Sequence, residues 1–235
     1  MRIDRHYSRA ARIAPIPTAG HVAKSLSKRL TLSKRARGKR ARGVQINEQL
    51  PFVPPEDWYE PREDGLGYRV IVCKPGEGYR HVLTPQEVRQ RLAELPSDFV
   101  RPLEQVQFAR MTRKKQSFPC YGMQWGSSLY LYPIEVDLVE RYDQPPKPNQ
   151  VNEARMYGGC WEQDGHGWKL VWTEEAIKDF YLNNILIHEL GHLLDNRNSR
   201  TVDRERFAEW FAIRYGYQPT RPGMRPAATR RHARA

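Results

Sequence analysis

The chain has 235 residues, 39 of them Lys or Arg and 27 Asp or Glu, a length that suits one ordinary domain with tails or two small domains. Charge distribution selects the first: residues 1–45 hold 13 basic groups and a single acid, Asp4, residues 221–235 hold five Arg and no acid, and the body between them is net acidic. No run approaches the roughly eighteen apolar residues of a membrane span, and no apolar segment follows the basic start, which speaks against Sec export.

Cys73, Cys120 and Cys160 are odd in number and lack C-x-x-C spacing. They point to a reducing, cytoplasmic compartment and to no second metal site. The Arg- and Ser-rich, acid-poor start leaves an organellar transit peptide open as an alternative.

Residues 1–48 read as a disordered basic tail, because the run Lys34 to Arg42 and its surroundings bury too little to fold alone. His21 to Leu32 predicts a short helix on contact with a partner. Residues 1–45 make nucleic acid or another polyanion a candidate partner through counterion release, with a solvated tail or targeting signal as the plain alternative. Residues 49–61, with Pro51, Pro54, Pro55 and Pro61, form a connector.

Tyr68–Cys73 and Tyr79–Leu83 around Lys74–Gly78 predict a β-hairpin. Thr84, Pro85 and Glu87 then open a helix that runs to about Leu95 and stops at Pro96. Val106 to Met111 predicts a strand, Arg113 to Lys115 a basic loop, and Ser128 to Tyr132 a second strand. After a Pro-rich loop, Glu153–Trp161 and Trp168–Trp172 predict a hairpin around Gly165-His166-Gly167. His166 at its tip and the lone strand residue His81 are not assigned to a metal. Thr173 caps the next helix, Glu174 and Glu175 complement its N-terminal dipole, and it extends to Asp195.

That helix carries His188-Glu189-Leu190-Gly191-His192. Histidines four apart on a helix are separated by about 6 Å of rise and about 40° of rotation, so their imidazoles can converge on one ion. A Glu beside the first His can take the proton of a water that the metal has acidified. Apart from Glu189 itself, Leu182 to Leu194 is free of acidic and of Lys or Arg side chains. Two histidines and a Glu buried there without partners would cost several kcal/mol.

A catalytic zinc site generally takes three protein ligands and leaves one position for water. Asp195 and Asn196 follow the motif, so the chain must turn and return. Thr201 to Tyr215 predicts a second helix, with Thr201 as cap, Asp203 in the first turn, and Glu205, Ala208, Glu209 and Ala212 on one stripe. The alanines permit close approach to the first helix, and a carboxylate facing it supplies the third ligand, for which Glu205, Glu209 and Asp203 are the candidates. Asp195 either supports a ligand His from behind or caps the loop.

H-E-x-G-H-x-x-D followed by Glu205-Arg206-Phe207-Ala208-Glu209-Trp210-Phe211 resembles the paired motifs of the anthrax lethal factor-like zinc metallopeptidases. The resemblance covers about Ile185 to Phe211, with a shorter loop between the helices. It implies a gluzincin in which Glu205 is the third zinc ligand, Glu209 a supporting carboxylate and Glu189 the general base. That family places a Tyr shortly before the ligand Glu to stabilise the tetrahedral intermediate. Arg197, Asn198 and Ser199 stand there in this chain, leaving Tyr157 and Tyr215 as candidates for the role.

The resulting expectation is an α+β, zincin-like domain over residues 62–218, followed by a basic disordered tail over 219–235. It combines a small mixed or antiparallel sheet, a long HExxH helix and a second ligand-bearing helix. The expected activity is hydrolysis of peptide or protein substrates by a zinc-activated water. The alternative is a non-catalytic nucleic-acid-associated protein with a structural or vestigial zinc site.

Overall fold

A computed structural model describes residues 67–117, 120–165 and 167–221. The N-terminal basic run with its contact helix, the connector, His166 and the Arg-rich residues from 222 onward lie outside the described residues. Among the described residues, no helix is long and apolar enough to cross a membrane.

The fold is α+β, with its strands in small sheets. The largest has four strands: β1 (Arg69–Val72), β3 (Gln105–Phe108), β5 (Ser128–Leu131) and β4 (Gly122–Trp125), in that spatial order. β3 lies parallel to both β1 and β5, while β4 runs antiparallel to β5 and forms the sheet edge. The expected hairpin between Tyr68–Cys73 and Tyr79–Leu83 does not form. β3 is buried along its whole length and needs ladder partners on both sides, so β1 pairs with it instead. β2 (Tyr79–Arg80) forms a two-residue ladder with β6 (Ile134–Glu135).

The capping signal at Thr84 produces α1 (Pro85–Ala93): Thr84 accepts from the Glu87 N–H, and Glu87 accepts from the Thr84 N–H. Ser97–Val100 forms the one-turn α2, and the expected basic loop is the short helix α3 (Arg113–Ser117). A three-stranded antiparallel sheet holds β7 (Val139–Tyr142), β9 (Gly167–Val171) and β8 (Cys160–Asp164), with β9 central. The β8–β9 hairpin matches the sequence reading except at its start. Glu153 to Met156 belong to the last turn of α4 (Pro148–Met156), not to a strand. Pro148 begins that helix, Gln150 accepts from the Lys147 N–H at 2.7 Å, and Gly158 at φ 83° turns the chain out of it.

Thr173 caps α5 (Glu174–Phe180) by accepting from the Ala176 N–H. The helix continues through a π-helical turn, Tyr181–Ile185, into α6 (Leu186–Leu194). After the loop, α7 (Thr201–Phe211) begins one residue past its cap, which is Arg200 and not Thr201. It too passes into a π-helical segment, Ala212–Tyr217, and then a 3₁₀ turn, Gln218–Thr220.

Two small-residue contacts lock these helices together. A Cβ on Gly191 would stand 2.9 Å from Ala208 Cα, and one on Gly216 would stand 1.9 Å from the Asn183 carbonyl oxygen. Arg91 ties the π segments from the side, donating to Asn183 Oδ1 and to the Tyr215 carbonyl, each at 2.6 Å. Beneath them, Glu140 is a buried carboxylate that accepts from Tyr121 and Tyr142 hydroxyls and from Trp172 Nε1. That set joins the three-stranded sheet to the chain just before β4.

Candidate metal centre

His188 and His192 project from one face of α6, as their spacing requires, and Glu205 faces them from α7. The two Nε2 atoms are 3.1 Å apart. Glu205 Oε2 lies 3.6 Å from His188 Nε2, and Oε1 lies 3.6 Å from His192 Nε2. The three side chains form a group able to hold a metal ion.

A tetrahedral ion with ligand bonds of about 2.0–2.1 Å has donor–donor edges of about 3.3 Å. Two nitrogens and a carboxylate at 3.1 to 3.6 Å fit zinc by both spacing and donor chemistry.

Glu205 is held at the right height by packing of the two helices. Gly191, one residue before His192, lies on Ala208, three residues after Glu205, and on the Phe211 Cβ position. Burial acts to raise the Glu205 carboxyl, but the two imidazoles outweigh it and hold it down at about 2. It is an anion across the neutral range and a competent ligand.

Glu189 occupies a different environment on the same helix. Burial dominates and pushes its carboxyl up to about 7; His188 and the Gln124 backbone N–H draw it down, and Glu205 raises it further. A carboxyl near neutrality is matched to accepting and returning a proton. Room for it comes from Gly122 at the start of β4: a Cβ there would approach Glu189 Cγ to 2.8 Å and Ile185 Cγ2 to 2.7 Å. The sheet edge therefore closes directly over the carboxylate.

A cleft of about 310 Å³ runs between β4 and the two helices. Cys120 to Gln124 line one wall; Ile185, His188, Glu189 and His192 form the floor; Ser199, Thr201, Arg204 and Glu205 form the other wall.

The remaining expected residues stand elsewhere. Glu209 is buried one turn beyond Glu205 and is not part of the ligand group. Asp203 faces Arg200 and Arg206 at the surface. Asp195 accepts from the backbone N–H groups of Arg197 and Asn198 and from the Asn198 amide, the loop-capping role of its two readings. Tyr157 donates from its buried hydroxyl to the Asn183 carbonyl and packs on Phe180 and Tyr217. Tyr215 packs among Phe99, Trp210 and Phe211. Neither tyrosine lines the cleft. His81 bonds the Cys73 carbonyl through Nε2 at 2.8 Å, away from the group.

Sequence reasoning missed β4 and Arg204. The signal for β4 was Gly126 between Met123-Gln124-Trp125 and Ser128-Leu129-Tyr130, a hairpin pattern whose turn glycine sits at φ 56°. Arg204 sits in the alternating run Asp203-Arg204-Glu205-Arg206, which reads as a solvated helix face. Comparison of the chain with protein-family models, with curated proteins and with solved structures gives no significant match to any of them.

Proposed function

We propose that the chain is a zinc-dependent peptidase of gluzincin type, with His188, His192 and Glu205 as ligands and Glu189 as general base. The observation that carries this reading is the convergence of two Nε2 atoms and one carboxylate at tetrahedral-edge spacing, with a second carboxyl near neutrality in the same cleft. The arrangement of the sheet supports a zincin-like architecture: a mixed sheet whose antiparallel edge strand lies along the metal helix.

A bound zinc ion would supply Lewis acidity, polarising the scissile carbonyl and acidifying the attacking water. The residues do the rest. Among the described residues β4 is the edge of its sheet, and its outward backbone groups other than the Gln124 N–H, from which Glu189 accepts, would hold an extended peptide with the scissile bond over the floor of the cleft. Glu189 takes a proton from the water as its oxygen bonds to the carbonyl carbon. It then returns the proton to the amide nitrogen, which leaves as an amine when the C–N bond breaks. Gly122 keeps Glu189 pressed under the strand, where little solvent competes for that proton.

A structural zinc site is closed by four protein ligands, whereas three ligands facing an open cleft are the catalytic pattern. This favours the enzyme over a vestigial site in a nucleic-acid-associated protein. The basic residues 1–45 remain a candidate electrostatic anchor for a polyanion.

The test compares the wild type with Glu189→Gln for zinc content and for cleavage of a peptide library. The expected result is stoichiometric zinc in both, and a loss of about 10²–10⁴-fold in cleavage for the variant. A purified wild type that binds no zinc would refute the proposal.

A further inference from the structure

We propose that the aromatic and acidic residues of 49–61 dock on the outer face of the four-stranded sheet, the face turned away from the metal helix; the inference does not depend on the chemistry of the metal centre. Alternate residues of the strands go to two different places. Val106, Phe108, Leu129 and Leu131 meet α1, α5 and α6 in the main core. On the other face Tyr130 joins Met123 and Trp125 of β4, with Ala109, Cys120 and Tyr132 beside the strand ends, in a second apolar cluster.

Among the described residues no helix contributes to that cluster. Only a corner of it meets α3, whose Lys115 Nζ stands 4.2 Å from the centre of the Tyr132 ring. The opposite end, where Gln105 and Ser128 pair at the strand starts, is about three residues or 10 Å away. Yet Gln105, Gln107 and Tyr130 are 0% exposed and Ser128 2%. A row of contacts from Arg69 Nε to Gln105, from Gln105 to Gln107 and on to Cys73 Sγ joins the polar side chains within the face, but side chains in one plane cannot shield their own outer surface. Arg69, Gln107, Trp125 and Tyr132 each have a further polar, charged or ring contact. A layer therefore lies on this face, and because the burial exists in a single chain, the layer is another part of that chain.

Position and composition choose the part. At the C-terminal end, Arg221 is held by the Met156 carbonyl and Asp179, on α4 and α5, and the Arg-rich residues beyond it include no aromatic. Residues 1–45 repeat the positive charge of Arg69, Arg110 and Arg113 around the face. Residues 49–61 supply what the face calls for: Leu50, Phe52, Val53, Trp58 and Tyr59 for an aromatic surface, and Glu56, Asp57 and Glu60 for its arginines. They lead to Gly67, two residues before Arg69 of the face. Extended, residues 52–67 reach about 50 Å, while four strands span about 14 Å. Pro51, Pro54, Pro55 and Pro61 lack the N–H of a ladder strand, so the attachment is made by side chains.

The experiment uses the full chain. p-Benzoylphenylalanine is placed at position 58 or 59, and its photocrosslinks are mapped by mass spectrometry. We expect intramolecular links to the β4–β5 segment, Met123 to Tyr130. Links to α1 or α4, or no intramolecular link, would overturn the proposal.

The reactivity of Cys73, at the end of the polar row, gives a second measure in a Cys120→Ser, Cys160→Ser background. Phe52→Ala, Trp58→Ala and Tyr59→Ala together should speed its labelling by a maleimide about tenfold or more, with circular dichroism unchanged. If that variant does not fold, reversal of Glu56, Asp57 and Glu60 to Lys replaces it, with an expected gain of about threefold or more. Arg230→Gln, Arg231→Gln and Arg234→Gln together should leave the rate within about twofold of wild type. An unchanged rate in the folded aromatic or charge-reversed variant would overturn the proposal. So would acceleration by the C-terminal changes, or protection lost on dilution, which would assign the cover to the other end of the chain or to a second copy.

Discussion

Replacing Gly191 with alanine should loosen the metal while the domain stays folded. The new Cβ would lie 2.9 Å from Ala208 Cα and 3.1 Å from Phe211 Cβ. Carbon atoms pack at about 3.5–4.0 Å, and the first of these partners is backbone, so α6 and α7 must part by about 0.5–1 Å. His188 and His192 move together because both belong to α6, but Glu205 is left behind on α7. Ligand bonds tolerate only about 0.2 Å, so the separation exceeds what the coordination absorbs. The expected loss is about 10–100-fold in zinc affinity, or about 1.4–2.7 kcal/mol. Stability of the zinc-free protein should change less. Overpacking costs about 1–3 kcal/mol, offset by up to about 1 kcal/mol from replacing a glycine inside a helix. Zinc competition against a chromophoric chelator gives the first quantity, and urea unfolding of the chelated protein gives the second. A folded Gly191→Ala protein whose zinc Kd stays within about twofold of wild type would refute the idea that this contact sets the ligand geometry.

Two further outcomes test the frame around the site. Glu140→Gln should destabilise the domain by about 2–3 kcal/mol in urea unfolding, because an amide cannot accept from Tyr121, Tyr142 and Trp172 as the carboxylate does; a change below about 0.5 kcal/mol would contradict the network. Burial acts to raise the Glu87 carboxyl, but hydrogen bonds from Lys178 and from the Thr84 backbone and hydroxyl outweigh it and hold it low. A lowered folded value means the stabilisation is complete above the unfolded carboxyl value of about 4.3 and is lost as pH falls through the folded one. The Tm gap between wild type and Glu87→Gln should therefore be flat from neutrality down to about pH 5 and shrink below about pH 4. A gap that widens with acidification would reverse the sign and the argument.

The grouping of His188, His192 and Glu205 was more legible in the sequence than the architecture around it. His188, Glu189 and His192 are fixed relative to one another by helical periodicity, and Glu205 shares a stripe with Ala208 that only a close helix neighbour explains. These are local signals. The partners of β1 are not local: whether Arg69–Val72 turns back on Tyr79–Arg80 or runs beside Gln105–Phe108 depends on which strand is central. The fully buried Gln105 and Gln107 of β3 hide that fact behind a polar composition. β4 was obscured for a packing reason, since Gly122 weakens its strand pattern where the Glu189 side chain fills the space. Tyr157 and Tyr215 illustrate the converse. A tyrosine near a motif in sequence is easily taken for chemistry, and both of these spend their rings on packing.

The π-helical turns carry a further consequence. Leu186 N–H reaches back to the Tyr181 carbonyl and Gln218 N–H to that of Ile213, five residues in each case. Each segment thus accommodates an extra residue in its helix. In a regular helix one residue is about 100° of rotation. Deleting a residue from Tyr181–Ile185 would leave the donor atoms of α6 in place and swing α5 around its axis. Phe180 would leave the face of Trp172, on which it now stacks at 4.9 Å. The insertion keeps two faces in phase, one carrying His188 and His192 toward Glu205 and one turned to the aromatic interior. The residue count between Thr173 and His188 is thus as much a part of the centre as the imidazoles themselves.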